Sequence, residues 1–180
     1  MHHSARSVLS LLCVMLVSFA LVGCSRNIEV SRQYCPTEGV LADTERLLGG
    51  EPGRSWQGQI TGTVLECSWN PEERKLVTAL TVRGSVIAGN DAGVPSKLNL
   101  PAFVVILNPE DKQLFRKDFD VNISADSGLK SVGFSKEVGD LTLNLASGDS
   151  IKGYAILVGF RLTPDQLRAN RTYRQQKLGL

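Results

Sequence analysis

From residue 57 to residue 162, apolar and polar side chains alternate with a period of two, in runs rich in Val, Ile, Leu, Thr and Phe broken by Gly, Pro, Asn and Asp. Such alternation sends one row of side chains to a core and the other to solvent, which is the pattern of half-buried strands. A first strand is predicted over residues 59–67. Asn70-Pro71-Glu72-Glu73 turns the chain into a second over 75–87, where Leu76, Leu80, Val82 and Val86 share a face. Pro101 opens the nearly continuous apolar run Ala102-Phe103-Val104-Val105-Ile106-Leu107, which suits a central strand buried on both faces. After the turn Asn108-Pro109-Glu110-Asp111, residues 113–121 place Phe115, Phe119 and Val121 on one face and Arg116, Asp118 and Asp120 on the other. A weaker strand over 130–138, an alternation of Leu141, Leu143 and Leu145, and a last run through Tyr154, Ile156, Val158, Phe160 and Leu162 bring the count to seven. Seven short strands predict an all-β fold, a two-sheet sandwich of immunoglobulin-like or fibronectin-like type over residues 57–162.

The flanks have another period. Residues 37–48 scatter Val40, Leu41, Ala42, Leu47 and Leu48 among charged positions, with Pro36 before them and Gly49-Gly50 after, so a short helix is expected within a segment 35–56. At the other end, Thr163-Pro164-Asp165-Gln166 combines a capping residue, Pro at the first helical position, an acid in the first turn and Gln three residues after the cap. A helix is predicted to start there and fill residues 163–180. It carries Arg168, Arg171, Arg174 and Lys177 with little apolar face, leaving Leu167 and Tyr173 to dock it.

Residues 8–23 form an apolar stretch preceded by Arg6, with signal-peptide proportions and short of the roughly 20 residues of a spanning helix. Its end, Leu21-Val22-Gly23-Cys24, resembles the lipobox of bacterial lipoproteins. The resemblance implies that residues 1–23 are removed, that Cys24 carries diacylglycerol on its sulfur, and that the new amino terminus is acylated with a palmitate-like chain. Ser25 stands where Asp would favour the inner membrane, so the outer membrane is the expected destination. Residues 24–34 then read as a tether, at most about 35 Å long when extended. The run Val158-Gly159-Phe160-Arg161-Leu162-Thr163-Pro164-Asp165-Gln166-Leu167, together with Cys35-Pro36 and the strands between, is similar to small envelope lipoproteins of Gram-negative bacteria. That similarity covers most of the mature chain and brings no biochemical activity with it.

On this view Cys13 leaves with the signal and Cys24 holds lipid, so Cys35 and Cys67 remain as an even pair in an oxidising compartment. A structural disulfide is the expectation; a redox dithiol would favour a Cys-x-x-Cys spacing that is absent. Because Cys35 precedes the first predicted strand, an inter-sheet core bridge of the antibody kind is not expected.

Charge and chemistry narrow the functions. The net charge of +2, or +1 without Arg6, is too small to imply nucleic acid as a partner. Both His and both Met lie within residues 1–23, so the mature chain has no imidazole for a Ser-His-Asp or Cys-His mechanism. Asp118 and Asp120, with Asp91 or Asp126, have the oxygen chemistry of a calcium site but not the spacing of an EF-hand. A solvated strand face paired with Arg116 accounts for them, and no metal or cofactor is expected. Asn122-Ile123-Ser124 and Asn170-Arg171-Thr172 match the glycosylation pattern by chance. Trp56, Trp69 and Tyr154 read as packing residues.

Residues 161–180 hold five cations against Asp165. Arg168, Arg171, Arg174 and Lys177 are therefore the candidate contact for anionic lipid, cell-wall polymer or an acidic protein surface. The expected function is that of a non-enzymatic, membrane-tethered interaction or assembly module of the envelope. Two alternatives remain: a module binding a small ligand or cell-wall polymer, its pocket lined by residues such as Phe103 and Trp69, and a histidine-free hydrolase using two facing carboxylates.

Overall fold

A computed structural model describes residues 35–51, 54–89, 93–126, 128–146 and 150–179. The expected signal segment, Cys24 and the tether lie outside the described residues. Eight strands and one helix are described: β1 (Thr37–Val40), β2 (Arg46–Gly49), β3 (Trp56–Asn70), β4 (Lys75–Ala88), β5 (Lys97–Leu107), β6 (Gln113–Ser124), β7 (Ser131–Asn144), β8 (Ala155–Phe160) and α1 (Pro164–Leu178). They form a sandwich of two four-stranded sheets, ordered β1-β8-β5-β6 and β2-β3-β4-β7.

The inward rows follow from the alternation. Leu100, Ala102, Val104 and Ile106 of β5 face Leu76, Leu80, Val82 and Val86 of β4, with Ile156, Val158 and Phe160 of β8 beside them, all buried in one cluster. β5 lies between β8 and β6, and its outward residues Phe103 and Val105 are buried too. The Arg116 guanidinium covers the Phe103 ring at 4.3 Å, a cation over an aromatic face.

Four expectations need correction, three in the placement of elements and one at the disulfide. The predicted helix over 37–48 is instead two edge strands of four residues each, β1 pairing in parallel with β8 and β2 antiparallel with β3. The residues between them cross from one sheet to the other. The strands expected over 130–138 and around Leu141–Leu145 are one strand, β7, whose pairing with β4 shifts register at Leu80/Thr81. Such a bulge flips the phase of the alternation without ending the strand. Pro101 lies inside β5 rather than at its start.

The Cys35–Cys67 disulfide is present, with the Cα atoms 5.6 Å apart. Cys35 stands two residues ahead of β1 in one sheet, and Cys67 lies within β3 of the other. The bridge therefore joins the two sheets, contrary to the expectation that Cys35 was placed too early to do so. The sequence offered no sign that a strand followed Cys35 so closely.

Candidate functional site

The β1–β2 crossover and α1 form the most built polar arrangement among the described residues. Asp43 adopts a left-handed backbone with φ 67°, a conformation that Asp tolerates better than most side chains. Thr44, beside it, donates its hydroxyl to the Leu41 carbonyl at 2.8 Å and accepts the Phe160 amide on its own carbonyl at 2.8 Å. Thr44 packs against β8 at Gly159, where a Cβ would collide with the Thr44 hydroxyl. This close approach fixes the crossover on the sheet.

α1 begins as its sequence predicts. The Thr163 hydroxyl accepts the Gln166 amide at 3.2 Å, the Gln166 side chain accepts the Thr163 amide at 2.9 Å, and Gly179 ends the helix in a left-handed cap. Its docking is polar. Asn170, the one described helix residue that is buried, donates to the carbonyls of Asp43 and Arg46 at 2.8 Å each. Gln166 donates to the Leu48 carbonyl at 3.0 Å, and the Arg46 guanidinium lies 3.6 Å from the Tyr173 ring centre. Tyr173 stays 46% exposed under that guanidinium and Leu167 is half-buried, so the docking expected of these two falls largely to Gln166 and Asn170.

The basic candidates are not free. Arg174 and Arg171 approach the buried Asp43 carboxylate at 3.0 and 3.6 Å, and Arg168 pairs with Asp165. Three of the four cations proposed for an external partner thus face carboxylates of their own chain. Asp43 and Asn170 were missed in the sequence. The available signal was the recurrence of Gln166, Asn170 and Tyr173 at helical spacing, which marks a face that happens to be polar.

Asp43→Asn keeps the left-handed backbone and the side-chain size while removing the charge. Because the arginine ends are about half exposed and screened by water, a loss of about 1 kcal/mol is expected. Hydrogen exchange of the α1 amides should quicken well before that of the sheet amides.

Elsewhere the residues sort as structural. Asp118 accepts from Arg116 at 3.0 Å and lies 3.5 Å from Arg161, which also approaches Asp120 at 3.7 Å. This is the paired, solvated strand face expected for them. Among the described residues no group of three or more His, Cys, Asp or Glu is placed to hold a metal ion. Asn170 is too buried to accept a glycan in the folded chain. Tyr154 is buried, and Trp56 and Trp69 pack against the core.

The two free edges on one side of the sandwich each carry a lysine in the inward row: Lys117 of β6 opposite Val104, and Lys136 of β7 opposite Val82. Lys117 donates to the Val138 carbonyl at 2.9 Å, tying β6 to β7 across the opening. Inward lysines on edge strands discourage pairing with a foreign strand. An open groove of about 370 Å³ lies on the opposite side, lined by Cys35, Pro36, Thr37 and Glu38 on one wall and Thr63, Val64 and Leu65 on the other. Phe103 and Trp69 do not line it. No protein-family model, no curated protein and no solved structure matches the chain.

Proposed function

We propose that this chain is an exported lipoprotein, anchored through Cys24 to the envelope membrane, whose sandwich is a non-enzymatic interaction or assembly module. The observation that carries the proposal is Leu21-Val22-Gly23-Cys24 at the end of the apolar stretch 8–23. The Cys35–Cys67 bridge supports it, because disulfides persist in oxidising compartments outside the cytosol. Two or three acyl chains, at about 0.8 kcal/mol per buried methylene, hold a domain at a bilayer stably. By the identity of Ser25, that bilayer is the outer membrane.

Mass spectrometry of the full chain extracted from membranes tests this. An amino terminus at Cys24 bearing diacylglycerol and a further acyl chain is expected, and Cys24→Ser should abolish both the lipid and the cleavage after Gly23. Recovery of a parent chain that retains residues 1–23, or processing after Gly23 that is unchanged in Cys24→Ser, would overturn it.

The groove between β1 and β3 favours a second reading, binding of a small ligand or a cell-wall polymer. Titration with soluble cell-wall fragments should then shift the amide resonances of Thr37, Glu38 and Thr63 to Leu65; unchanged resonances there would dismiss it.

A further inference from the structure

The strands at the ends of the two sheets are closed to foreign strands in two different ways. β1 and β6 end one sheet, β2 and β7 the other. Three of these edges carry a charge in the row that faces the core: Lys117 of β6, Lys136 of β7, and Glu38 of β1, whose register partner Ile156 is buried. An inward charge resists an added strand, because pairing buries it. β2 has no such residue. Its inward position is the buried Leu47, between the outward Arg46 and Leu48. This is the edge that α1 covers.

The cover matches a strand in its spacing. The Glu45 carbonyl accepts the Ile60 amide and so points toward β3; by alternation the carbonyls of Arg46 and Leu48 point away from it. Those two accept the side-chain amides of Asn170 and Gln166, at 2.8 and 3.0 Å. Four helical residues rise about 6 Å and two strand residues about 6.6 Å, so a single helix face reaches both carbonyls. Gln166 and Asn170 therefore stand where the N–H groups of a further strand would be. Among the described residues of α1 the buried one is Asn170, while Leu167 is half-buried and Tyr173 exposed. A strand offering backbone N–H groups would replace both bonds in kind, with no apolar interface to break.

We infer that α1 is a displaceable cover of the β2 edge, and that the partner it holds off is the β2 edge of a second copy. The edge is self-complementary. In an antiparallel two-fold pair centred on Leu47, Leu47 meets its own copy, Arg46 meets Leu48 and Glu45 meets Gly49, so no charge faces a like charge. Both Arg46–Leu48 pairs exchange N–H and carbonyl through the groups that point away from β3. Each strand has four residues, so the pair is short and prevails only when α1 is loosened. The other described edges at the sheet ends keep their inward charges, and the product is a closed dimer rather than a fibre. α1 thus sets the oligomeric state, independently of the Cys24 anchor and of the groove between β1 and β3.

Sedimentation of the full chain in density-matched detergent tests this, with amide exchange read on the same samples. The parent should run as a monomer. Gln166→Ala with Asn170→Ala should open the α1 amides to exchange and yield severalfold more dimer than the parent at equal concentration, while the sheet amides stay protected. Adding Leu48→Pro, which removes an N–H pointing away from β3 and spares the β2–β3 ladder, should restore the monomer. Gln166→Ala alone leaves the buried Asn170 in place and should shift both readings the same way by less, so the test stands even where the double variant loses sheet protection. The inference is overturned by a variant that stays monomeric with α1 released, by one in which α1 keeps its protection, or by a dimer that survives Leu48→Pro.

Discussion

Replacing both Cys35 and Cys67 by Ala should lower the stability of the sandwich by about 3–4 kcal/mol, the loop-closure entropy of a cross-link across 32 residues. For a domain of this size that corresponds to a fall in Tm of roughly 10–15 °C. The substitution acts on more than the unfolded chain, because β1 is only four residues long and pairs with one neighbour, β8. Without the bridge, β1 is held by that ladder and by the crossover at Thr44. Local opening of β1 should therefore outpace global unfolding, seen as faster amide exchange at Gly39 and Val40 than at Val104. Thermal unfolding of the double variant, compared with the parent under reducing and non-reducing conditions, checks the magnitude. A Tm shift of only two or three degrees would mean that the rest of the sandwich already restrains residues 35–67.

What the sequence disclosed was set by how local the determinant is. β3, β4, β5 and β6 were legible because long alternations and the turns at Asn70-Pro71 and Asn108-Pro109 are properties of neighbouring residues. The helix cap at Thr163 was legible for the same reason. β1 and β2 were not: Val40, Leu41, Leu47 and Leu48 between Pro36 and Gly49-Gly50 imitate a helix, while β1 takes its partner, Val158 of β8, from the far end of the chain and β2 pairs across a turn with the start of β3. β7 was divided in two because its bulge reverses the phase, with Gly139 at φ 86° among the residues that absorb it. Which strands neighbour one another depends on pairings such as β8 inserted between β1 and β5, which strand count does not encode. The cations of α1 were visible, whereas their engagement was not, since nothing local marks Asp43 as a buried carboxylate. Arg171 and Arg174 would have to leave Asp43 before meeting an external anion. That cost weakens the C-terminal helix as a contact surface.

Phe160→Ala should cost about 3–5 kcal/mol, the range for deleting a fully buried aromatic ring whose cavity cannot collapse. Phe160 has no exposed surface, and its ring reaches across the core toward Gly58 of β3, where an added Cβ would sit 3.5 Å from the ring tip. Collapse is resisted because Phe160 ends β8 and its amide is held by the Thr44 carbonyl. Phe160→Leu, which retains most of the volume, should lose about 1–2 kcal/mol. In urea the Ala variant should show a lower midpoint with an unchanged slope, the signature of lost stability rather than an altered unfolded state. The crossover makes a further coupling measurable. The Phe160 backbone amide holds Thr44, Thr44 adjoins Asp43, and Asp43 holds α1; loss of the ring lets that end of β8 shift, so Phe160→Ala and Asp43→Asn together should cost less than the sum of the two single variants. Full additivity would show that the latch on α1 stands independently of the core beneath it.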